Sequence, residues 1–507
     1  MLKKHFKKII YLLLFPLFFI LHGHNAYFGL IPFEVLFSLL IKYVLIALLL
    51  ITISFSLYKN GINAFLFILF LLCVFFLFGP FHDCLKTILP NSKLTSYSLV
   101  LPFLTAIVIG LFCYLKKSRR SFHKLFLYSK LLLIFFVSIE VVSLLFQTLT
   151  SEAENNHLAV PINELKPTTI PNENKPDIFF VVFDEYASSK SLREDFNFDN
   201  SGIDSLFEAN KFFVSYDSRS NYNFTFFSIA STFALDYLKL KPDGPISERL
   251  TLQGIKSVEK NYLTAYLKKQ KYQILNYGSF NLNEEPAKTT PFFDNGFISS
   301  VIDNQTLYSR IKRDIWWNFT LKNIFTGEWR IPNGFKKAKD YHVQRNNFNL
   351  NGLINELRRE TLEPRFVYVH LMLPHEPFYL NSDGKPLSDT VLIRNTINQR
   401  DGYLDQLKFS NSLIREICAW VNYKTKRKRV VVIESDHGYK FFDESKRNRK
   451  FWNLNAYYFS DNEYSKLYNG ISPVNTFRVI LNQYFNQSFP LLKDSSIYIL
   501  DSNVKNN

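Results

Sequence analysis

The stretch VVVIESDHG, residues 430–438, indicates how the second half of this 507-residue chain folds. Its first residues are mostly β-branched, which is typical of a buried strand. Asp436 and His437 follow the run directly, and in open α/β sheets ligands bind at the carboxyl ends of strands. A carboxylate beside an imidazole suits a divalent metal such as zinc or manganese. Because His-Gly also suits a simple turn, the pair indicates a site only if other strands supply partners.

Residues 1–150 are dominated by long apolar runs. We predict five membrane-spanning helices, near residues 8–22, 35–57, 62–80, 98–115 and 126–148, and all but the first approach the roughly 20 residues that cross a bilayer. Basic clusters at 3–8 and 116–124 place the N-terminus and the loop after the fourth helix in the cytoplasm. We therefore expect a multi-pass protein of the cell inner or plasma membrane, with residues after 150 outside the cytoplasm.

Most of the positive charge belongs to the membrane part. Residues 1–150 hold 14 Lys and Arg against 3 Asp and Glu, whereas the remainder holds 46 against 41. The high isoelectric point is thus largely a topology signal, and we expect no nucleic-acid partner. Only Cys418 lies beyond residue 150, so an internal disulfide in the outer domain is excluded.

The outer part alternates short apolar strands with helical stretches. A proline-rich polar linker at 151–176 precedes a domain at 177–500, after the membrane domain at 1–150. The candidate strands are 178–183, 212–216, 272–277, 366–373, 430–434 and 456–459, and the candidate helices are 225–236, 258–269, 346–360, 402–424 and 473–485. For the last helix we predict Ser472 as N-cap and Pro473 in the first turn. This alternation predicts an α/β domain with a largely parallel central sheet covered by helices on both faces.

Two further strands end in residues that can bind a metal or phosphate. The run at 178–183 leads into Asp184 and Glu185, and the run at 366–373 contains His370 and leads to His375. A cation shared with Asp436 and His437 would offset the cost of burying these groups at one sheet edge. Each has a structural alternative: Asp184 as a helix cap, His375 as a loop residue between prolines, and His370 as a packed core histidine.

Thr225 is the candidate nucleophile. It falls at or near the start of an apolar helical stretch, where free N–H groups and the helix dipole favour a phosphate. A threonine hydroxyl needs a base or a metal to activate it. Without such a partner, Thr225 or Ser220 would simply cap the helix.

The order of these blocks resembles the alkaline-phosphatase/sulfatase superfamily. The resemblance lies mainly in IFFVVFDEY, HLMLPHEPF and VVVIESDHG, and the preceding membrane helices resemble the branch that contains lipoteichoic acid synthase and phosphoethanolamine transferases. It implies one divalent ion, Mn, Zn or Mg, bound by Asp184, Thr225, Asp436 and His437, with Glu185 as a second candidate. It also implies that His375 binds substrate phosphate or donates a proton, and we assign His370 to substrate binding with it.

The implied reaction is transfer of a headgroup phosphate from a membrane phospholipid to an envelope lipid or glycan through phosphothreonine. Two alternatives stay open: a sulfuric-ester or phosphodiester hydrolase of the same fold, and an inactive membrane-anchored scaffold. The chain departs from sulfatases because no Cys/Ser-x-Pro/Ala-x-Arg signature lies near Thr225. It departs from the transferases in offering Asp184 where they often present glutamate, and in lacking the cysteines for their disulfides.

Overall fold

The computed structural model divides the chain into two compact units. It describes all residues except Met1, Lys59, Asn91, Lys424 and residues 151–157, 160–169, 241–244, 316–332, 389–390, 393–398 and 502–507, and it leaves out the side chains of 2–7 and 333–338. One unit comprises Met1–Asn156 and Asn295–Trp329, and the other comprises His157–Asp294 and Arg330–Asn507. The first unit thus takes in a segment that the sequence pattern assigns to the outer domain.

The first unit consists of helices, most of them apolar. In chain order they are α1 Leu2–Ala26, α2 Phe33–Leu57, α3 Gly61–Phe76, α4 Phe78–Ile88, α5 Tyr97–Lys117, α6 His123–Leu149, α12 Asn295–Asp303 and α13 Leu307–Asp314. Four of them are long and apolar enough to cross a membrane, and α3 with α4 forms a fifth candidate that is bent by 61°. The bend has a local cause, because the Pro80 ring would clash with the carbonyl of Phe76 in a continuous helix. The predicted set of apolar N-terminal helices is confirmed.

Polar side chains hold α12 and α13 within this unit. Lys42 Nζ lies 2.8 Å from Asp303 Oδ2, and Arg310 pairs with both carboxylate oxygens of Asp83, at 2.8 and 2.5 Å. The backbone N–H of Gly79 also donates to a carbonyl in this segment, that of Gln305, at 2.8 Å. These contacts explain why residues 295–314 belong with the N-terminal helices.

The second unit is built on one six-stranded sheet. Its strands are β1 Asp177–Phe183, β2 Phe213–Val214, β3 Gln273–Tyr277, β4 Arg365–Leu371, β5 Arg429–Glu434 and β6 Asn455–Phe459. Their order is β2-β6-β5-β1-β4-β3. The four neighbouring strands β5, β1, β4 and β3 run parallel to one another, whereas β6 is antiparallel to both β5 and β2. The predicted α/β domain with a largely parallel sheet is confirmed.

Helices cover both faces of this sheet. They are α7 Ser189–Phe196, α8 Ser201–Ala209, α9 Thr225–Ala234, α10 Glu248–Glu259, α11 Tyr262–Lys269, α14 Asn333–Arg358, α15 Gln399–Val421 and α16 Pro473–Tyr484. On one face the ring of Phe180 lies 5.5 Å from Phe233 of α9 and 5.2 Å from Phe477 of α16. On the other face, Phe179 and Val181 belong to the main buried core with residues of α14 and α15. Both faces of the central strands are therefore buried from solvent.

Helix α16 begins differently from the sequence prediction. Ser472 occupies the N-cap position and Pro473 the first turn, as predicted, but the serine side chain makes no capping bond. Its hydroxyl donates instead to Asp494 Oδ1 at 2.6 Å. The backbone N–H of Val474 is satisfied by Asn221 Oδ1, at 2.8 Å, from the segment that precedes α9. A distant side chain has replaced the local cap.

Candidate metal centre

Three of the predicted metal ligands meet at the carboxyl edge of the sheet. Asp184 directly follows β1, and Asp436 and His437 follow β5, its parallel neighbour. All three residues are buried, and each offers a ligand atom within 4.8 Å of the others. Because parallel neighbours end at the same edge, Asp184 lies close to Asp436 and His437, which follow it by 252 and 253 positions in the sequence.

The His437 ring is oriented by its own backbone. Its Nδ1–H donates to the carbonyl of Gly438 at 2.7 Å, which leaves the Nε2 lone pair directed at carboxylates. Nε2 lies 3.5 Å from Asp436 Oδ2 and 3.9 Å from Asp184 Oδ1. Burial lowers the pKa of His437, but the neighbouring carboxylates of Asp436, Asp184 and Glu185 outweigh burial and raise it. Metal-binding histidines commonly donate their second ring N–H in this way.

Two carboxylate oxygens in the cluster fit a cation. Asp184 Oδ1 and Asp436 Oδ2 are buried and accept no hydrogen bond from the described residues. The pKa of Asp184 is raised well above its usual value, first by burial and then by the Asp436 charge. Buried carboxylates held together without a counter-charge are costly. Two such oxygens and an imidazole nitrogen are a donor set that suits one divalent ion.

His370 and Tyr368, both on β4, orient Asp184. The Tyr368 hydroxyl donates to His370 Nδ1 at 2.9 Å, and His370 Nε2–H donates to Asp184 Oδ2 at 3.0 Å. Burial lowers the pKa of His370 to about 3, so the ring is neutral and carries its single proton on Nε2. Both ring nitrogens are engaged, and the predicted contact of His370 with substrate would require it to give up one of these bonds.

Glu185 lies beside the cluster in a left-handed backbone conformation, with φ of 67°. Its N–H donates to Asp436 Oδ1 at 3.1 Å, and its Oε1 accepts from the N–H of Lys440 at 2.9 Å. Burial raises the pKa of Glu185 to about 7. Its second oxygen is buried and accepts no hydrogen bond from the described residues, so Glu185 remains an alternative ligand.

His375 lies at the edge of the same cluster. Its Nδ1–H donates to the carbonyl of Glu376, and its Nε2 accepts from Lys440 Nζ at 3.1 Å. Nε2 also lies 4.0 Å from Asp184 Oδ1. Burial and the Lys440 charge lower the pKa of His375 well below its usual value, so the mobile proton of this pair belongs to the lysine. Sequence reasoning missed Lys440, although its place three residues after His437 is a signal that could have found it.

Thr225 is the first residue of α9, as the sequence predicts. It is half-buried, and among the described contacts its hydroxyl makes no hydrogen bond to Asp184, Asp436 or His437. Its role as nucleophile therefore stays a prediction.

Gly438 is required by the close approach of another segment. A Cβ at this position would lie 2.7 Å from the carbonyl oxygen of Trp452 and 2.8 Å from that of Arg449. Since both atoms belong to the backbone, neither can move aside as a flexible side chain would. The glycine lets residues 449–452 pass directly behind the turn that carries Asp436 and His437.

Comparison with known families agrees with this fold. Residues 244–477 match the family model described as Sulfatase, which is slightly less than half of the chain. The matched region contains His370, His375, Asp436 and His437, whereas Asp184 and Thr225 precede it. The predicted resemblance to the alkaline-phosphatase/sulfatase superfamily is confirmed over the matched residues.

The solved structures that the chain matches are distant in sequence. The periplasmic domain of phosphoethanolamine transferase EptC from Campylobacter jejuni is 13% identical with a TM-score of 0.36, and the match covers 66% of this chain and 96% of that one. The integral membrane protein lipooligosaccharide phosphoethanolamine transferase A from Neisseria meningitidis is 13% identical with a TM-score of 0.35, covering 81% and 80%. A zinc complex of the periplasmic EptC domain from Escherichia coli is 13% identical with a TM-score of 0.38, covering 68% and 95%. No curated protein matches the sequence.

Proposed function

We propose that the protein is a membrane-anchored, metal-dependent phosphotransferase. It would move a phospholipid headgroup phosphate, such as phosphoethanolamine or phosphoglycerol, to an envelope lipid or glycan. The observation that carries this proposal is the buried group of Asp184, Asp436 and His437, whose ligand atoms lie within 4.8 Å of one another. The sulfatase-family match and the apolar N-terminal helices support it.

Asp184, Asp436 and His437 would hold one divalent ion, Mn, Zn or Mg, with Glu185 as the alternative carboxylate. Such an ion lowers the pKa of a hydroxyl and offsets the charge that builds on phosphoryl oxygens. His370 and Tyr368 would keep Asp184 in one orientation, through bonds of 3.0 and 2.9 Å. Hydrogen bonds that hold a ligand side chain in place from behind raise metal affinity, because the ligand is already oriented before the metal binds.

The transfer would have two steps. In the first, the Thr225 oxygen bonds to the headgroup phosphorus while the bond from phosphorus to the diacylglycerol oxygen breaks, and the hydroxyl proton passes through basic groups of the site to the leaving oxygen. In the second, an acceptor hydroxyl attacks the phosphothreonine, and Thr225 recovers a proton as the acceptor loses one. Lys440, whose Nζ lies 3.1 Å from His375 Nε2, would supply an ammonium group to the phosphoryl oxygens.

Membrane anchoring would keep the site close to lipid donors. Confinement to the same surface raises the effective concentration of donor without any new contact. We therefore propose a membrane phospholipid as donor, and a catalytic domain outside the cytoplasm where envelope acceptors lie.

Replacing Thr225 tests the nucleophile. We expect full-length Thr225→Ala in lipid vesicles to lose transfer of a labelled headgroup by about 1,000-fold or more, because no other hydroxyl would take its place. Mass spectrometry of the wild-type protein should find the headgroup phosphate on Thr225. Thr225→Ser is the matched control, since it keeps a hydroxyl. Undiminished transfer by the alanine variant would contradict this assignment.

Elemental analysis of the same preparations tests the metal. We expect one divalent ion per wild-type chain, retained in Thr225→Ala and lost in Asp436→Ala, while Asp383→Ala, which removes an exposed carboxylate, keeps it. A wild-type chain that binds no ion would favour the scaffold alternative. An ion that survives in Asp436→Ala would show that the ligand set is wrong.

The second candidate is hydrolysis of a sulfuric ester or a phosphodiester, which the sulfatase-family match favours. The same groups would serve it, with water in place of the acceptor hydroxyl. Turnover measured with and without candidate acceptors separates the two. Hydrolysis of soluble esters that no acceptor accelerates would favour the hydrolase.

A further inference from the structure

The second unit contains an open polar groove beside the metal-binding turn. Its volume is about 620 Å³, and its lining includes Arg219, Asn448, Arg449, Trp452, Ser495 and Ser496. Lysine is absent from this lining, and the positive charge comes from two guanidinium groups. None of the reaction steps proposed above uses these residues.

Both guanidinium groups lie over the same indole ring. The Arg449 group is 3.8 Å from the centre of the Trp452 ring, and the Arg219 group is 4.6 Å from it. Arg449 is paired with two carboxylates, Glu194 at 2.7 Å from its Nη2 and Asp195 at 3.6 Å from its Nε. Arg219 is exposed, and its guanidinium group makes no hydrogen bond or ion pair with the described residues. The groove thus presents a cation that is held flat by stacking and that has no ion pair with the described residues, although the Asp217 carboxylate also lines the groove.

Further hydrogen-bond donors around this ring lack acceptors. Arg449 Nη1 and Trp452 Nε1 are buried and have no hydrogen-bond partner among the described residues. The two carboxylates that line the groove bond to other groups: Asp217 accepts from Asn469 at 2.7 Å, and Asp494 accepts from Ser472 at 2.6 Å. Burial lowers the pKa of Arg219, and although Asp217 opposes this, the charge of Arg449 adds to it. Two neighbouring cations and an indole N–H are the donor set for an oxyanion.

The groove is connected to the metal centre through the backbone of Trp452. The carbonyl of Trp452 accepts from the N–H of Ser188, four residues after Asp184, at 2.9 Å, and it abuts Gly438. Arg219 pairs with Trp452 in an antiparallel bridge, six residues before Thr225. One short segment therefore touches the turns that carry the ligands and the stretch that leads to the nucleophile.

We propose that this groove binds an anionic saccharide, with a phosphate ester on Arg219 and Arg449 and sugar hydroxyls on Asn448, Ser495 and Ser496. Serine hydroxyls and an asparagine amide can both donate to and accept from sugar hydroxyls. The identification of this saccharide as the acceptor rests on the proposed transferase function. The binding itself does not, since it involves no residue of the metal centre.

Calorimetry with glucosamine 1-phosphate as probe tests the groove. Full-length Asp436→Ala and chelator-treated wild-type protein are used, so that the probe's phosphate cannot bind a metal. We expect saturable binding to both proteins, weaker binding of inorganic phosphate and of glucosamine alone, and about tenfold weaker binding of the probe when Arg219→Met is added. Lys190→Met is the matched control, because Lys190 lies 5.0 Å over the same ring but does not line the groove.

The outcomes separate the two proposals. Absence of probe binding in both proteins, or equal weakening by Arg219→Met and Lys190→Met, would overturn the groove assignment even if headgroup transfer is intact. Probe binding that depends on Arg219 in a protein without transferase activity would support the groove and contradict only the transferase. Arg219→Lys should restore part of the affinity, since it keeps the charge but loses the planar fork.

Discussion

At the scale of single residues, burial lowers the pKa of His342 and His370, whereas at His437 the neighbouring carboxylates outweigh it. His342 of α14 stacks on Tyr379, with ring centres 5.5 Å apart, and burial lowers its pKa to about 4. An unfolded histidine titrates near 6.5, so between pH 6.5 and about 4 the unfolded chain binds more protons here than the folded protein does. The free energy of unfolding therefore falls as the pH drops through this window.

Replacing His342 by phenylalanine should reduce that dependence. The ring contact with Tyr379 would persist, but residue 342 would no longer titrate. At pH 5 this removes a destabilisation of about 2 kcal/mol from the free energy of unfolding. We expect the melting temperature of full-length His342→Phe in detergent to fall less between about pH 7 and about pH 5 than that of the wild type. An equal fall in both proteins would contradict this assignment.

Some residues of the candidate metal centre could be predicted from the sequence, and others could not. Asp184, Asp436 and His437 could be found because each follows a β-branched run, and parallel strands bring such positions to one edge. The bonds from Tyr368 through His370 to Asp184 could not be found, because they depend on which strand lies beside β1. Lys440 was missed because a lysine in a loop is normally solvated.

At the scale of elements, the strands were easier to predict than the helix ends. All six strands follow apolar runs, and each was found to within a few residues. Helix α14 begins at Asn333, well before the predicted 346, because its first half is polar and carries no apolar repeat. The predicted helix at 258–269 is two helices, α10 and α11, separated by Asn261, whose side chain caps the second. The strand order and the antiparallel β6 depend on long-range pairing, which local sequence does not encode.

The distant cap of α16 leads to a prediction about stability. Asn221 accepts from the N–H of Val474 at 2.8 Å and donates to the carbonyl of Ser495 at 2.9 Å. Because Asn221 is fully buried, Asn221→Ala should leave the N–H of Val474 unpaired and the carbonyl of Ser495 with only the weaker bond from Tyr237, at 3.3 Å, at a cost of about 2–4 kcal/mol. Asn221→Asp keeps the acceptor for Val474 and loses the donor, so we expect an intermediate melting temperature. Identical values for the alanine variant and the wild type would contradict the cap.

At the scale of the whole molecule, one segment packs with a unit that is distant from it in the sequence. Residues 295–314 lie in sequence between β3 and β4 but pack with the N-terminal helices, through Asp303 with Lys42 and Arg310 with Asp83. No sequence pattern indicates these partners, which are more than 200 positions apart. The five predicted spans could be read from local hydropathy, whereas this grouping could not.

Cutting the chain tests this grouping. A protease site inserted after Thr150 would sever the peptide link between the last apolar helix and everything that follows. We expect the two fragments to stay together through affinity purification in detergent, because α12 and α13 remain seated on the N-terminal fragment. Asp83→Ala combined with Asp303→Ala should weaken that retention, while Asp383→Ala should not. Fragments that separate at once in the otherwise unaltered protein would contradict it.

The same feature bears on how such a chain can change over generations. When the chain passes only once from one unit to the other, recombination can replace either unit, because each unit keeps all the residues that it packs against. Here residues 295–314 lie in sequence between β3 and β4 of the second unit, but the residues that they contact, Lys42 and Asp83, lie in the first 100 residues. Recombination near residue 150 would combine the N-terminal helices of one protein with residues 295–314 of another, whose side chains would not fit them. The two parts of the chain are therefore expected to be inherited together.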